Sequence, residues 1–141
     1  MTTDRALQTF LISEGTGDFE IHAQVNLLGR DLQVNLVGGA NHIGAVGMAE
    51  ARPSLADPRK SGATSSVFTF LSHKEDEIVK PMAEELAKRL NGKVVVVAGV
   101  HREQLSPEGI EVLMGICGRI TEKIVKEVTT AHIYGARDAA P

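Results

Sequence analysis

The clearest pattern in the chain is an alternation of apolar and polar residues in two neighbouring segments, 19–28 and 31–37. A period of two predicts β-strands with one buried and one wet face. Gly29-Arg30 lies between the segments, and a two-residue loop with glycine first suits a type II′ hairpin turn. This turn and the apolar pattern agree on one register. It pairs Leu27 with Leu32, Val25 with Val34 and Ala23 with Leu36.

Four more strands and two helices are predicted along the rest of the chain. The strands cover residues 6–14, 43–51, 66–71 and 93–97. The first helix starts at Ser72-His73-Lys74-Glu75, which fits a capping box, and ends at Asn91-Gly92. Its apolar face carries Ile78, Met82, Leu86 and Leu90. The second helix starts with Ser106 as N-cap and Pro107 as first residue. Its apolar stripe comprises Ile110, Leu113, Met114, Cys117, Ile120, Ile124 and Val128.

This order of elements predicts an α+β fold with two layers. The sheet is mixed but mostly antiparallel, with about six strands and with two helices on one face. Residues 93–97 (KVVVV) do not alternate, so we expect that strand to be buried on both faces. The Pro-, Ser- and Gly-rich stretch 52–65 is predicted to be a functional or mobile loop. The domain is predicted to span 1–129, with a C-terminal tail over 130–141.

Composition narrows the class of protein. A chain of 141 residues with 43% hydrophobic residues fits one domain with a real core. A net charge of −3, with acids and bases interspersed, argues against nucleic acid as the main partner. The lone Cys117 allows no internal disulfide and lies on a helix stripe, so we interpret it as a core residue. No segment is long and apolar enough for a membrane span, and we expect a cytoplasmic protein.

Three of the five histidines lie at the ends of predicted elements. His42 follows the pair Gly38-Gly39, His73 precedes the first helix and His101 follows the sixth strand. One such histidine is more typical of a loop or a helix cap, but three together favour a shared site. If the fifth and sixth strands run parallel, His73 and His101 lie at one carboxyl edge of the sheet. His42 joins them there if the fourth strand is antiparallel to the fifth.

Two chemistries are open for such a site. Three histidines could bind zinc, but HxH and HExxH spacings are absent. An anionic small molecule fits more features, because two predicted helix N-termini follow His73 and His101. Gly38-Gly39 could aim backbone N–H groups at it. The positive charge would come from Lys74, Arg102, Arg59 and Lys60. No catalytic triad or nucleophile motif is visible, and the sequence names no reaction.

Three separated motifs resemble one known family. They are Gly38-Gly39 with His42 and Gly44, then His73-Lys74-Glu75, then Ala98-Gly99-Val100-His101 running on to Gln104-Leu105-Ser106-Pro107. Their order and spacing over residues 19–125 are similar to those of LpdD-type proteins, which accompany UbiD-like, prenylated-flavin-dependent decarboxylases such as gallate decarboxylase. The chain departs from the pattern at Asn41 and Glu75, where some relatives have Pro and Asp.

The resemblance implies an accessory protein rather than an enzyme. It implies a homodimer with a fold like that of proteasome-assembly chaperones. It also implies that the protein binds reduced prenylated FMN and delivers it to an apo UbiD-like decarboxylase. The residues carried over as cofactor-binding are Gly38, Gly39, His42, Gly44, His73, Lys74, Gly99, His101 and Gln104. Two alternatives stay open: a metal-dependent enzyme that uses His42, His73 and His101, and a structural subunit of a hydroxyarylic acid decarboxylase complex.

Overall fold

A computed structural model describes residues 7–70, 75–100 and 105–138 of the chain. The strands are β1 (Gln8–Glu14), β2 (Ile21–Leu28), β3 (Asp31–Gly38), β4 (Ala45–Pro53), β5 (Ser61–Thr69) and β6 (Lys93–Val100). The helices are α1 (Asp76–Leu90) and α2 (Pro107–Asp138), and a short 3-10 turn (Gly17–Phe19) follows β1. The predicted α+β class, with a mixed six-stranded sheet and two helices, is confirmed.

The six strands form one sheet in the order β1-β2-β3-β6-β4-β5. The last strand in the chain is thus inserted in the middle, parallel to β3 and antiparallel to β4. The remaining neighbours are antiparallel. β5 and β6 run in the same direction, because each is antiparallel to β4. They are not neighbours, so the β5–α1–β6 crossover passes over β4.

The predicted hairpin between β2 and β3 is confirmed residue by residue. Leu27 lies opposite Leu32, and the other two predicted pairs are also present. Gly29 has a φ of 66°, a conformation that costs glycine little and other residues more. Local turn chemistry therefore sets the register, as expected.

Both helices cover the same face of the sheet. α1 packs against β4, β5 and β6, α2 packs against β1 and β2, and the two helices contact each other. The core lies between these layers, and Ile21, Leu36, Leu86, Ile120 and Ile124 are among its fully buried side chains. Cys117 is buried in this core as predicted, and burial raises the pKa of its thiol to about 11. A thiol with this pKa is protonated at neutral pH and is a poor nucleophile.

The prediction that β6 is buried on both faces is wrong. Val94, Val96 and Ala98 are buried under the helices, whereas Val95 and Val97 point to the other face and are half-buried. No described element covers this open face of the sheet within residues 7–70, 75–100 and 105–138. The run of valines is explained by a strand that is central in the sheet, yet it leaves apolar side chains on the uncovered side.

Half of the predicted loop over 52–65 is strand. β4 continues to Pro53 and pairs with β5 from Ser61 onward, so the connecting loop spans only 54–60. Arg52 is bound inside this hairpin, where its Nε donates to Thr64 Oγ1 at 2.9 Å. Arg59 forms an ion pair with Asp57. The loop lies at the end of β4 opposite to His42, so Arg59 and Lys60 cannot supply charge to the histidine site.

The details of α2 also differ from the prediction. Ser106 caps the helix as expected, since its Oγ accepts a hydrogen bond from Gly109 N at 3.1 Å. Ile110 and Met114 are exposed, however, and Ile116 takes a buried place in the stripe. The helix continues past Thr129 to Asp138. The backbone over most of the expected tail is therefore helical, while the division into domain and tail stays a prediction.

Candidate functional site

One edge of the sheet gathers the segments that carry the candidate residues. β3, β5 and β6 end at this edge and β4 begins there. Gly44 joins them, because its N donates to Ala98 O at 2.8 Å and its O accepts from Phe70 N at 2.9 Å. The strand directions thus meet the condition that we set for a shared site. His73, Lys74, His101 and Gln104 lie outside the described residues, so their positions and their convergence with His42 stay predictions.

His42 has a hydrogen-bond acceptor at each ring nitrogen. Its Nδ1 lies 2.8 Å from Ala40 O, and its Nε2 lies 2.9 Å from Glu75 Oε1. A carbonyl oxygen only accepts, so Nδ1 donates to Ala40. A neutral imidazole then has no proton for Nε2, and a second donated bond to the Glu75 carboxylate needs the imidazolium form. The geometry therefore favours a protonated His42.

The electrostatics agree with this geometry. The carbonyl of Ala40 and the carboxylate of Glu75 both raise the pKa of His42, and partial burial opposes them. The Glu75 side chain is only 6% exposed and that of His42 is 22% exposed, so water screens the pair little. The surroundings of His42 thus stabilise its protonated form next to a buried carboxylate.

The sequence predicts Glu75 as the N3 residue of a capping box, but its carboxylate contacts His42 instead. α1 begins at Asp76, and Glu75 is the N-cap residue with helical backbone angles. Its carbonyl oxygen accepts from Ile78 N and Val79 N, while its carboxylate reaches His42. Ser72, the predicted cap, lies outside the described residues. Sequence reasoning noted Glu75 beside His73 but missed its contact with His42, because the two residues are far apart in the chain.

Two of the predicted site glycines make room for this pair. A Cβ on Gly99 would lie 1.7 Å from the carbonyl oxygen of His42, and a Cβ on Gly44 would lie 2.2 Å from the carboxyl carbon of Glu75. Both distances are far shorter than any real contact. Gly44 also has its backbone N and O bonded within the sheet. The absence of a side chain at these glycines therefore leaves the room that His42 and Glu75 occupy.

The Gly38-Gly39 pair forms the bend between β3 and the His42 loop. Gly38 is buried as the last residue of β3, opposite Val100 of β6. Gly39 has a φ of 73°, in the left-handed region that favours glycine. The bend turns the chain from the end of β3 towards His42 at the same edge.

An aromatic pair beside this edge was not predicted as part of the site. Phe68 and Phe70 lie on β5 and just after it, with ring centroids 5.1 Å apart in an edge-to-face arrangement. Their side chains are 61% and 45% exposed, which is unusual for phenylalanine. Phe70 is joined to Gly44 through the backbone. The signal that could have revealed them is the Phe-x-Phe spacing at the end of an edge strand.

The expected anion sites at the helix N-termini are less favourable than the sequence suggested. Asp76 and Glu77 occupy the first turn of α1, and Glu75 precedes them. Their negative charges already complement the helix dipole and repel an anion. The N-terminus of α2 has Ser106 as its cap and Glu108 in its first turn. Positive charge for an anionic ligand would have to come from His42 and from the predicted residues Lys74 and Arg102.

Within the three described ranges, no group of three His, Cys, Asp or Glu side chains is arranged to hold a metal ion. Two of the three histidines of the metal hypothesis lie outside those ranges, so this hypothesis stays a prediction. None of the helices in the described part of the chain is long and apolar enough to cross a membrane.

Comparison with known proteins agrees with the fold and with the motifs. No curated protein sequence matches this chain. The crystal structure of a chaperone complex for yeast 20S proteasome assembly is similar, with a TM-score of 0.55 and 12% sequence identity over 88% of this chain and 96% of that chain. At this identity the likeness concerns the fold alone. The family model described as a prenylated flavin chaperone LpdD-like domain matches residues 15–129. The chain therefore belongs to the LpdD-like prenylated flavin chaperone family.

Proposed function

We propose that this protein binds reduced prenylated FMN and delivers it to an apo UbiD-like decarboxylase. The observation that carries the proposal is the family match over residues 15–129, which includes all three motifs of the candidate site. We further propose that the protein acts in the cytoplasm, where a soluble decarboxylase would receive the cofactor.

We place the cofactor at the sheet edge around His42. The strand ends that precede His73 and His101 lie at this edge, and sites on rigid elements of this kind hold ligands well. Phe68 and Phe70 offer an exposed aromatic surface next to it, on which a flavin ring can stack. The residues proposed to form the site are Gly38, Gly39, His42, Gly44, His73, Lys74, Gly99, His101 and Gln104.

Anaerobic titration tests the binding step. The purified protein should bind reduced prenylated FMN saturably, with oxidised FMN as the control ligand. A Phe70→Ala variant should bind more weakly if the aromatic surface contacts the ring. In contrast, Phe10→Leu, a change at a partly buried residue packed against the core, should bind normally once folded. No saturable binding of the reduced cofactor by the wild-type protein would sink the proposal.

Cofactor transfer, co-purification and metal content distinguish a cofactor carrier from a structural subunit and from a metal-dependent enzyme. The loaded protein should activate an apo UbiD-like decarboxylase faster than free cofactor at the same concentration. A structural subunit would instead co-purify with the large subunit whether or not cofactor is present. A metal-dependent enzyme would contain about one transition metal per chain, and chelator would lower its melting temperature. Elemental analysis of gently purified protein separates this case from the carrier.

We also propose a homodimer that covers the open face of the sheet. This face carries exposed or half-buried apolar residues next to one another in the sheet register. They are Val46, Met48, Val95 and Val97. Apolar side chains at the centre of a sheet favour a covering layer, and a second copy related by a two-fold axis is the commonest solution.

Charge placed on this face should separate the two copies. Met48 is 48% exposed and lies opposite Val95, so Met48→Glu would bury a carboxylate in the dimer. Sedimentation should show a dimer for the wild-type protein and a species near 15.1 kDa for the variant. Leu55→Glu, in the 54–60 loop at the far end of β4, is the matched control and should stay dimeric. A wild-type monomer at micromolar concentration would contradict the dimer.

A further inference from the structure

Glu75 connects the start of α1 to the loop that carries His42. Its carboxylate is almost completely buried and lies 2.9 Å from His42 Nε2. His42 in turn lies on Gly99 of β6, and the Glu75 carboxyl group lies on Gly44. One ion pair therefore fixes the relative positions of the β3–β4 loop, the end of β6 and the beginning of α1.

The ring of His42 is held in one orientation by contacts within the protein. Both of its nitrogens already face protein acceptors, Ala40 O and Glu75 Oε1. Direct donation from His42 to a cofactor would require one of these bonds to break. We infer that Glu75 is a positioning residue for cofactor binding, which holds His42 in one orientation and so shapes the edge where the cofactor is proposed to bind. The identity of the cofactor in this inference rests on the proposed function, whereas the roles of Glu75 and His42 rest on the observed geometry.

The arrangement makes the edge sensitive to pH. Loss of the His42 proton leaves a lone pair facing either the carbonyl of Ala40 or the carboxylate of Glu75, and that contact becomes repulsive. Among the described residues, Glu75 is the titratable group in contact with His42. The neighbouring segments also carry His73, Lys74, His101, Arg102 and Glu103, whose charges act on the same edge if it forms as predicted.

NMR titration of the His42 ring tests the pair without any cofactor. The wild-type ring should titrate above its usual value of 6.5, and Glu75→Gln should move the titration clearly downward while a hydrogen bond to the amide oxygen remains possible. Glu84→Gln, also on α1 but bonded to Lys80 and Ser65, is the matched control and should leave the His42 titration unchanged. The His42→Gln spectrum identifies the ring among the five histidines. A wild-type His42 that titrates at or below 6.5 overturns the inference by itself, even if Glu75→Gln does not fold.

The second arm measures the affinity for reduced prenylated FMN from pH 6 to pH 9. Wild-type affinity should fall about three- to tenfold more than that of Glu75→Gln over this range, since one hydrogen-bonded contact is lost only in the wild type. Titration of the free cofactor is common to both proteins and cancels in the comparison. Equal pH profiles with good binding in both proteins refute the positioning role. Absence of binding in both at every pH refutes the proposed function instead, and the NMR result still decides the ion pair.

Discussion

Gly99→Ala should lower the free energy of unfolding by about 3 kcal/mol, one of the largest effects of any single methyl group in this chain. The new Cβ would lie 1.7 Å from the carbonyl oxygen of His42 and 2.6 Å from its carbonyl carbon. Both atoms belong to the backbone, so a side-chain rotation cannot relieve the contact. The β3–β4 loop must move away from β6, and His42 moves with it. Urea denaturation with an unchanged m-value measures the loss of stability.

The control for this prediction is Gly118→Ala in the middle of α2. A Cβ there meets no atom within 4 Å, and alanine is a better helix former than glycine. This variant should be more stable than the wild type by roughly 0.5–1 kcal/mol. Equal effects of the two substitutions would show that His42 does not pack on Gly99. We also expect Gly99→Ala to lose cofactor binding while Gly118→Ala keeps it.

The hairpin was predictable because its information is local. Gly29-Arg30 selects the turn, and three apolar pairs agree with the same register. The start of α2 is local in the same sense, since Ser106 caps the backbone only three residues away. Where neighbouring residues decide the structure, the sequence pattern was sufficient.

The order of the strands was not predictable from pattern alone. β6 lies between β3 and β4, and both contacts join segments that are distant in the chain. The valines of β6 indicate a central strand but do not predict which strands lie on either side of it. For β5, the first residues, Ser61-Gly62-Ala63-Thr64, have little apolar character and read as loop. They become strand because β4 offers them a partner in register.

The candidate site was predictable as a place but not as a set of contacts. Histidines at the ends of elements pointed to the sheet edge, and the strand directions bring the corresponding ends together. For Glu75, in contrast, the local sequence pattern predicts a helix cap. Its partner His42 is 33 positions away, and the pair exists only because β4 and α1 meet at this edge. Local rules fail where a side chain has a stronger distant partner.

A double-mutant cycle on His42 and Glu75 should give a coupling energy of about 1.5–3 kcal/mol at pH 6, as expected for a hydrogen bond to a charged group. The cycle uses His42→Ala, Glu75→Ala and the double variant. The stability lost in a single variant overestimates the interaction energy of the pair, because each substitution also removes packing on Gly99 or Gly44. Combining all four proteins cancels those terms and leaves the interaction between the two side chains.

The coupling should weaken as the pH rises. The pKa of His42 is raised in the folded state by Ala40 and Glu75, so the folded protein holds this proton more tightly than the unfolded chain. The stabilisation is therefore complete below the usual histidine pKa and disappears as the pH rises through the higher folded value. At pH 9 we expect a coupling below about 1 kcal/mol, because the neutral ring has only one N–H for the two acceptors Ala40 O and Glu75 Oε1. The exposed pair Arg59–Asp57 is the control, and its coupling should be small and equal at both pH values. A coupling between His42 and Glu75 that is small at pH 6, or equal at pH 6 and pH 9, would mean that the ion pair does not hold this edge together.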